Sequence, residues 1–442
     1  MGRYTLIQSN SESKLQQSML KQTSLAIAAL MLACCVSYEP LSIDLKRDTA
    51  AWQRLSQDLC RHGALTRADA GRIGLLLNPE LNRARLTYAR STQMAKYAGL
   101  WEDPALCASL ERVLSLNITN FAISPSLSIP VTGSRKLARQ VAEQYKEADY
   151  WQMREKERIF LSDLNTQCNA VLINRAKLEL TRERLSQAQD EQGRMQELLS
   201  LGEVPFADMQ VVNARVNELV KQEQELHCQQ AELRHALTRT LGLHPTAVSV
   251  ELAAELPSGM PEMVAAPTAE QLLNLPGLQA ERANLGAGEL ELKAEIRRQF
   301  PDISLEPEFR REDEANRIGS GLGFTLPIWN RNRAAIHKAQ ADRALACQKL
   351  VSTWRGLLQD AAELTEHQQH SYTHCREGRE RIDALCAAQV RQEELYRLGE
   401  VSLPALAEAR QEIFTLRLNY LDCLGNLLDC RSKLQSLKPA SL

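Results

Sequence analysis

Side chains able to do chemistry are scattered along this 442-residue chain, and no set of them forms a recognisable catalytic motif. A nucleophile elbow, a P-loop, a His-Glu-x-x-His zinc site and a dinucleotide fingerprint each need fixed spacings that the sequence lacks. The run from Gly319 to Gly323 is typical of a glycine-containing strand rather than of a phosphate-binding loop. The eight histidines form no dense tract. We therefore predict that the chain is not an enzyme, binds no cofactor and has no catalytic or metal site.

Cysteine is the residue type with the most informative chemistry. The chain has 11 cysteines, and none lies in a Cys-x-x-Cys pair or a Cys/His cluster with zinc spacing. Cys34 follows Lys21 and the apolar run 25–33, an order that resembles a bacterial lipoprotein signal. This run is shorter than the roughly 20 residues that a membrane-spanning helix needs. We predict that residues 1–33 are a signal peptide and that Cys34 carries an acyl chain such as palmitate.

Three alternatives to this assignment stay open. Cys35 gives a second register for the lipidated residue. A start at Met19 would give a shorter signal and leave residues 1–18 outside the protein. The apolar run could also form a buried core helix, which has a similar composition.

Composition favours long helices and argues against a nucleic-acid partner. Charged residues make up 24% of the chain, yet the formal net charge is only −2, so there is no basic excess. Aromatic residues are only 5%, while Leu, Ala, Glu, Gln and Arg crowd the long segments. Such a composition is typical of extended helices and coiled coils rather than of a compact enzyme.

Three prolines and one glycine of the first half each have a counterpart 197 positions later in the chain (for example, 276 minus 79). The pairs are Pro79 and Pro276, Pro104 and Pro301, Pro130 and Pro327, and Gly202 and Gly399. Two units of this size are too few and too long for a solenoid of short repeats. The sequence therefore predicts an old tandem duplication that forms one fold with internal pseudo-symmetry.

Each repeat is predicted to contain a long antiparallel helical hairpin. Residues 132–201 and 330–398 contain no proline and almost no glycine, so each can run as one helix of about 100 Å at about 1.5 Å per residue. Gly202 and Gly399 suit the left-handed cap that ends a helix, and Pro205 or Pro404 suits the start of the next. The turn of each hairpin is therefore placed at its Leu-Gly-Glu-Val sequence.

The second arm of each hairpin has an apolar seam with the steps of three and four residues that coiled coils use. In the second repeat the seam is Leu406, Ala409, Ile413, Leu416, Tyr420, Cys423, Leu427, Cys430, Leu434 and Leu437. In the first it is Val212, Val216, Leu219, Glu223, Leu226, Gln230, Leu233 and Leu237, with two polar interruptions. Cys423 and Cys430 are accordingly interpreted as core residues.

A cysteine pair provides a check on this hairpin. Cys375 and Cys423 are equidistant from Gly399, since 375 and 423 average to 399, so an antiparallel hairpin places them at the same height. We predict that they are near neighbours. Either a disulfide or two buried free thiols fits this arrangement, because cysteine often acts as a small core residue.

Segments 105–130 and 302–327 are each long enough for two strands and a turn. Transmembrane strands need about 9–11 residues, which fits, although the apolar alternation is weak between Leu106 and Leu116. Four strands cannot close a barrel, and open strand edges are not tolerated in lipid. This interpretation therefore requires oligomerisation.

Four sequence pieces carry a family resemblance. They are Asn-Pro-Glu-Leu-Asn-Arg-Ala-Arg from Asn78, Gly-Phe-Thr-Leu-Pro-Ile-Trp-Asn-Arg-Asn-Arg from Gly323, Tyr-Arg-Leu-Gly-Glu-Val-Ser from Tyr396, and Arg-Leu-Asn-Tyr-Leu-Asp from Arg417. Over about residues 75–437 the chain resembles the TolC-like outer-membrane efflux channels, and the Trp-Asn-Arg-Asn-Arg piece is most similar to the CzcC-like heavy-metal branch.

The resemblance implies a mainly α fold with a small β part. Long antiparallel helical hairpins would form an α-barrel, and four transmembrane strands per chain would close as a 12-stranded barrel only in a homotrimer. It implies a Gram-negative outer-membrane location, lipid-anchored and extending into the periplasm. The chain would be a passive exit duct for substrates, heavy-metal cations in the CzcC-like case, delivered by an inner-membrane pump and a periplasmic adaptor. The rival interpretation is a periplasmic or cytosolic coiled-coil scaffold without a channel.

The resemblance also implies roles for the hairpin turns. In the family these tips face the adaptor, which assigns docking to Leu201, Gly202, Glu203, Leu398, Gly399 and Glu400. The family narrows its tube just past the tips with acidic rings, which assigns Asp208 and Glu408 to a gate. Glu408 matches one gate acid by its distance from the tip glycine (408 minus 399), while Ala405 stands where another would be. The plainer alternatives are helix capping and solvated helix faces.

The predicted organisation of the mature chain follows from these segments. It consists of a lipidated linker over residues 34–74, a first repeat over 75–242, an inter-repeat linker over 243–271, a second repeat over 272–438 and a tail over 439–442.

Overall fold

The structure is a computed structural model that describes residues 38–61, 63–114, 118–247, 252–253, 255–257, 259–312 and 315–438. The chain divides into two compact units, residues 1–51 and 52–442. All helices and strands from residue 67 onward belong to the second unit. The predicted signal peptide, Cys34, Cys35 and the tail 439–442 lie outside the described residues.

Helices dominate the described chain, and four strands form one small sheet. The helices are α1 Leu45–Cys60, α2 Arg67–Leu77, α3 Pro79–Tyr97, α4 Ser134–Ser200, α5 Phe206–Thr240, α6 Ala269–Leu273, α7 Pro276–Arg297, α8 Arg333–Arg397 and α9 Leu403–Ser436. The strands are β1 Ala105–Val113, β2 Ile118–Ile129, β3 Ile303–Glu312 and β4 Ala315–Phe324. The predicted mainly α fold with a small β part is confirmed.

The tandem duplication is visible in the order of the elements. The first set, α3, β1, β2, α4 and α5, is followed by a second set, α7, β3, β4, α8 and α9, in the same order. α3 and α7 both begin at a proline, Pro79 and Pro276, as the repeat predicted. Proline suits the first helical position because its missing N–H would have no partner there.

The two long helices of the prediction are α4, with 67 residues, and α8, with 65. At about 1.5 Å per residue each is about 100 Å long. α4 packs against α3 and α5 of its own repeat and against α7 and α9 of the other, while α8 packs against α7 and α9. α4 therefore joins the two repeats along its whole length.

The apolar core follows the predicted seams. The seam residues Leu406, Ile413, Leu427 and Leu434 of α9 are buried, as is Leu437 at its C-terminal cap, and the remaining seam residues are half-buried. A second stripe of α9 faces α4, because Phe414 packs with Leu185 and Ala188. α9 is therefore buried on two sides, which explains why more of its residues are apolar than one seam requires.

Among the helices that the structure describes, none is both long enough and apolar enough to cross a membrane.

Candidate functional site

Two features stand at opposite ends of the long helices: the sheet, which immediately precedes α4 and α8, and the hairpin tips, which follow them. The sheet has the order β1-β2-β3-β4, and every neighbouring pair is antiparallel. β2 and β3 come from different repeats, so their pairing fuses two hairpins into one four-stranded sheet.

The register of the sheet collects its apolar side chains on one face. Directly opposed residues of an antiparallel sheet point to the same side, and successive residues of a strand alternate. The opposed apolar pairs on this face are Leu106 with Pro125, Leu110 with Phe121, Ile123 with Phe309, Leu127 with Leu305, Ile129 with Ile303, Phe309 with Ile318, Leu305 with Leu322, and Ile303 with Phe324. The same face becomes polar at the end of the sheet that carries Arg112, Arg311 and Asn316.

The other face is made of polar, charged and small residues. Its opposed pairs include Cys107 with Ser124, Ser128 with Ser304, Ser304 with Gly323, Glu306 with Gly321, and Glu308 with Gly319. The sheet is therefore amphipathic across all four strands. The weak alternation of β1 in the sequence hid this pattern, which appears only when opposed residues are compared.

The described part of the chain leaves the apolar face uncovered. Leu110 is 77% exposed, Ile318 87% and Leu322 73%. The sheet also has two open edges, because β1 and β4 each pair with one neighbour only among the described strands. An uncovered apolar face and unpaired strand edges together mark the sheet as a candidate interaction surface.

The hairpin tips have the geometry that their glycines predicted. Gly202 and Gly399 have φ values of 76° and 78°, in the left-handed region. The N–H of Gly202 donates to the carbonyl of Leu199 at 3.0 Å, and the N–H of Glu203 donates to that of Leu198 at 3.0 Å. This pair of hydrogen bonds is the Schellman motif, which satisfies the last carbonyls of a helix.

The second tip repeats this arrangement. The N–H of Gly399 donates to the carbonyl of Tyr396 at 3.0 Å, and the N–H of Glu400 donates to that of Leu395 at 2.9 Å. The capping alternative is therefore true of both glycines. It leaves the docking role of the tips open, because capping explains the backbone and not the side chains.

The structure brings the two tips together. Met195, Met209 and Val212 from the first hairpin form one buried cluster with Leu403 from the second, and Tyr396 packs against it. Outside this cluster, Leu201 and Leu398 occupy matching positions at the helix ends and are 70% and 73% exposed. Glu203 and Glu400 follow the tip glycines and are exposed as well. The tips thus present two copies of a Leu-Gly-Glu surface side by side.

The two predicted gate acids differ in their surroundings. Asp208 lies in the first turn of α5 and is half-buried, where the helix dipole favours a carboxylate. Glu408 is exposed on α9, about one and a half turns from its start. In the single chain the surroundings of Glu408 are those of any exposed acid on a solvated helix face. Its role in a gate therefore stays a prediction.

A buried ion network, which was not predicted from the sequence, connects the two hairpins near their tips. Arg184 and Glu191 on α4 are each 3% exposed, with 3.2 Å between Nη2 and Oε2. Arg410 of α9 reaches Glu191 Oε1 at 3.0 Å with Nη1 and Glu393 Oε1 of α8 at 2.8 Å with Nη2. Hydrogen bonds from Arg410 and then from Gln389 hold the pKa of Glu393 below its usual value. In the sequence, the only indication of this network is the spacing of Arg184 and Glu191, which places them two turns apart on one helix.

The predicted cysteine neighbours meet between α8 and α9. Cys375 is fully buried, and Cys423 packs against the same cluster. Both thiols are free, and the Cys423 thiol donates to the carbonyl of Ser371 at 3.2 Å. Burial, and then the neighbouring Cys423, raises the pKa of the Cys375 thiol. The predicted height of the two residues about Gly399 is therefore confirmed.

The second repeat matches a known protein family. Residues 269–438 match the family described as outer membrane efflux protein. The chain is 28% identical over 165 residues to the cobalt-zinc-cadmium resistance protein CzcC of Cupriavidus metallidurans. This match covers 35% of the chain and spans only 38% of that relative's length.

Solved structures share the fold of almost the whole chain. A crystal structure of CusC superposes with a TM-score of 0.72 at 16% identity, covering 85% of this chain and 92% of CusC. The CmeC outer membrane channel of Campylobacter jejuni gives a TM-score of 0.73 at 14% identity, with 92% and 95% covered. A membrane protein of Pseudomonas aeruginosa gives 0.73 at 16% identity, with 91% and 99% covered. At these identities the likeness establishes the fold.

Proposed function

We propose that the protein is the outer-membrane channel of a tripartite efflux system, because residues 269–438 match the outer membrane efflux protein family. The observation that carries this proposal is the four-stranded sheet, with one uncovered apolar face and one polar face. Strands of 9–12 residues match the roughly 9–11 residues that cross a bilayer. The apolar face would contact lipid and the polar face would line water.

The open edges support a homotrimer as the working form. Unpaired backbone groups are costly in lipid, so β1 and β4 must find partner strands. Three copies would join β4 of one chain to β1 of the next and close a ring of 12 strands, from four in each chain. The long helices would continue this ring as a periplasmic tube of about 100 Å.

The channel assignment is tested by purification and conductance. We expect the protein to require detergent, to migrate as a trimer and to form discrete conductance steps in planar bilayers. Conductance through an open channel needs no chemical step by this chain. A protein that stayed soluble without detergent and gave no conductance would instead be the coiled-coil scaffold that its heptads allow.

The exposed tips are proposed as the docking site of the periplasmic adaptor. Leu201 and Leu398 offer apolar contact, and Glu203 and Glu400 offer charge on the same turns. Charge reversal at Glu203 and Glu400 together should abolish cross-linking to the periplasmic adaptor while trimer levels stay normal. The control is Glu80→Lys, an exposed acid at the start of α3. Unchanged cross-linking in the tip variant would mean that Glu203 and Glu400 have no role in docking and that the tips serve only as helix caps.

The gate is proposed at Asp208 and Glu408. Threefold symmetry would bring three like carboxylates around one axis, where they attract cations. Glu408→Gln should therefore weaken the block of single-channel current by divalent cations. Glu218→Gln on the exposed side of α5 is the control. Equal block in wild type and Glu408→Gln would remove Glu408 from the gate.

Heavy-metal cations are proposed as the exported substrate, because the curated relative is named for cobalt, zinc and cadmium resistance. Deleting the gene should then lower the tolerance of the host to these three metals, and re-expression should restore it. Unchanged metal tolerance with reduced tolerance of organic toxicants would assign another substrate class to the same duct.

Lipidation is proposed at Cys34, which lies outside the described residues. Cys34→Ser should abolish labelling with a palmitate analogue. Labelling that persists in Cys34→Ser and disappears in Cys35→Ser would move the anchor by one residue.

A further inference from the structure

Three of the eight histidines of the chain lie within eight residues of α8, at His367, His370 and His374. The steps between them are three and four residues. Because a helix turns by about 100° per residue, these steps place all three within an arc of about 60°. All three are exposed, with His367 and His370 side chains at 65% and 75%. They form what we call the histidine stripe.

The stripe lies on the side of α8 that the described chain does not cover. Gln368 is 3% exposed and accepts a hydrogen bond from the N–H of Val264 at 3.3 Å, and Cys375 is fully buried against α9. Counting 100° per residue, both lie about 140–160° from His370. The packing of α8 therefore leaves the imidazoles free to choose their rotamers.

Two carboxylates lie beside histidines of the stripe. Glu363 Oε1 lies 3.9 Å from His367 Nε2, and Glu366 Oε1 lies 3.7 Å from His370 Nε2. Carboxylates beside imidazoles orient the rings that bind metals and raise their basicity. In an exposed site such acids also raise the local concentration of cations.

We propose that His370 and His374 form a chelating site for a divalent first-row transition metal. Two histidines four residues apart on one helix face are the arrangement that holds zinc in helical His-x-x-x-His motifs. Imidazole nitrogen suits copper, zinc, cobalt and nickel. Among the described residues, no three His, Cys, Asp or Glu side chains already converge as a metal site. The chelate is thus two-coordinate from the protein and is completed by water, with His367 as a neighbouring alternative ligand.

The sequence alone did not predict the stripe, because the three histidines do not form a dense tract. The signal was present as His-x-x-His-x-x-x-His, but it has meaning only on one continuous helix. The 65 uninterrupted residues of α8 supply that condition. Metal binding at the stripe does not depend on which substrate the channel exports.

The test uses Cu²⁺ as the probe, because copper binds most tightly in the divalent series. The full-length protein is purified in detergent with a tag that contains no histidine. The exposed thiols of Cys107, Cys228 and Cys347 are alkylated first, since thiols compete for copper. Binding is followed by calorimetry, and the number of nitrogen ligands is read from the electron paramagnetic resonance spectrum.

We expect one tight Cu²⁺ per chain with two nitrogen ligands. His370→Ala with His374→Ala should weaken binding by more than about tenfold, because loss of even an outer-shell partner of a metal ligand costs about 10–100-fold. His337→Ala is the matched control, because His337 is a lone exposed histidine on the same helix, hydrogen-bonded to Gln340 at 3.2 Å. Helicity and trimer content should be unchanged in all variants.

Copper bound equally tightly by the double variant would overturn the proposal, and so would a spectrum with one nitrogen ligand. Loss of binding in His337→Ala alone would place the metal elsewhere on α8. Because conductance is not used as the readout, a failed site leaves the channel assignment intact.

Discussion

Backbone geometry explains why glycine occupies the turn of each hairpin. No atom lies within 4 Å of a Cβ added at Gly399, so only its φ of 78° opposes a side chain. The left-handed conformation costs an L-residue about 1–2 kcal/mol. In the interior of a helix, replacing glycine by alanine has the opposite effect and raises stability. The reason is that glycine loses more backbone entropy on folding than alanine does.

A matched pair of alanine substitutions separates these effects. Gly399→Ala should destabilise the tip by about 1–2 kcal/mol. Gly356→Ala, in the interior of α8 and also without neighbours within 4 Å, should stabilise its helix by about 0.5–1 kcal/mol. Amide hydrogen exchange around each position measures both changes. The same sign at both positions would contradict the assigned tip conformation.

The buried ion network offers a second test at the scale of single residues. Glu191→Gln leaves the buried Arg184 without its carboxylate and should destabilise the protein by about 3–5 kcal/mol. Glu80→Gln, which breaks the exposed pair with Arg83, should cost less than about 1 kcal/mol. Denaturant titration of the detergent-solubilised protein gives both values. Equal costs would mean that Glu191 is hydrated in the assembled protein.

Glu393 makes part of this network sensitive to acid. Its pKa is lowered in the folded chain, chiefly by the hydrogen bond from Arg410, so its contribution to stability is present at neutral pH. That contribution is lost as the pH falls through the folded-state pKa, where the carboxylate is protonated. Glu393→Gln should therefore flatten the acid side of the stability curve. An unchanged acid side would show that Glu393 is equally ionised in the unfolded chain.

At the scale of elements, the pairing of α8 with α9 fixes which cysteines are reachable. Cys375 is fully buried in the seam, whereas Cys347 on the same helix is exposed. Burial also raises the pKa of the Cys375 thiol, which lowers the share of the reactive thiolate. Iodoacetamide should label Cys347 rapidly and leave Cys375 unlabelled until the protein unfolds. Mass spectrometry of the two peptides gives the rates, and early labelling of Cys375 would refute the observed register of α8 against α9.

At the scale of the whole molecule, the open sheet edges determine the assembly. Cys107 is an exposed free thiol on β1, one of the two edge strands. Single cysteines introduced along β4, from Ala315 to Phe324, should cross-link to Cys107 of a neighbouring copy at one or two positions. Electrophoresis should then show covalent trimers. Cross-links at no β4 position, or a ladder without a trimer limit, would contradict ring closure through these edges.

The sequence by itself determined the elements that depend on local signals. The glycine caps, the proline starts, the heptad seam of α9 and the 197-residue repeat (276 minus 79) predicted the helices and tips that the structure contains. These signals suffice because helix formation and termination are decided by residues a few positions apart. The proximity of Cys375 to Cys423 could also be predicted, because the two residues are equidistant from the turn at Gly399 in an antiparallel hairpin.

Tertiary structure alone decided the features that join distant segments. The pairing of β2 with β3 unites residues about 180 positions apart, as Ile123 and Phe309 show, and only that register reveals an apolar sheet face. The ion network is of the same kind, because Arg184 and Arg410 meet over Glu191 from different repeats. Such contacts depend on how whole helices and strands pack, and period-based sequence patterns contain no information on that packing.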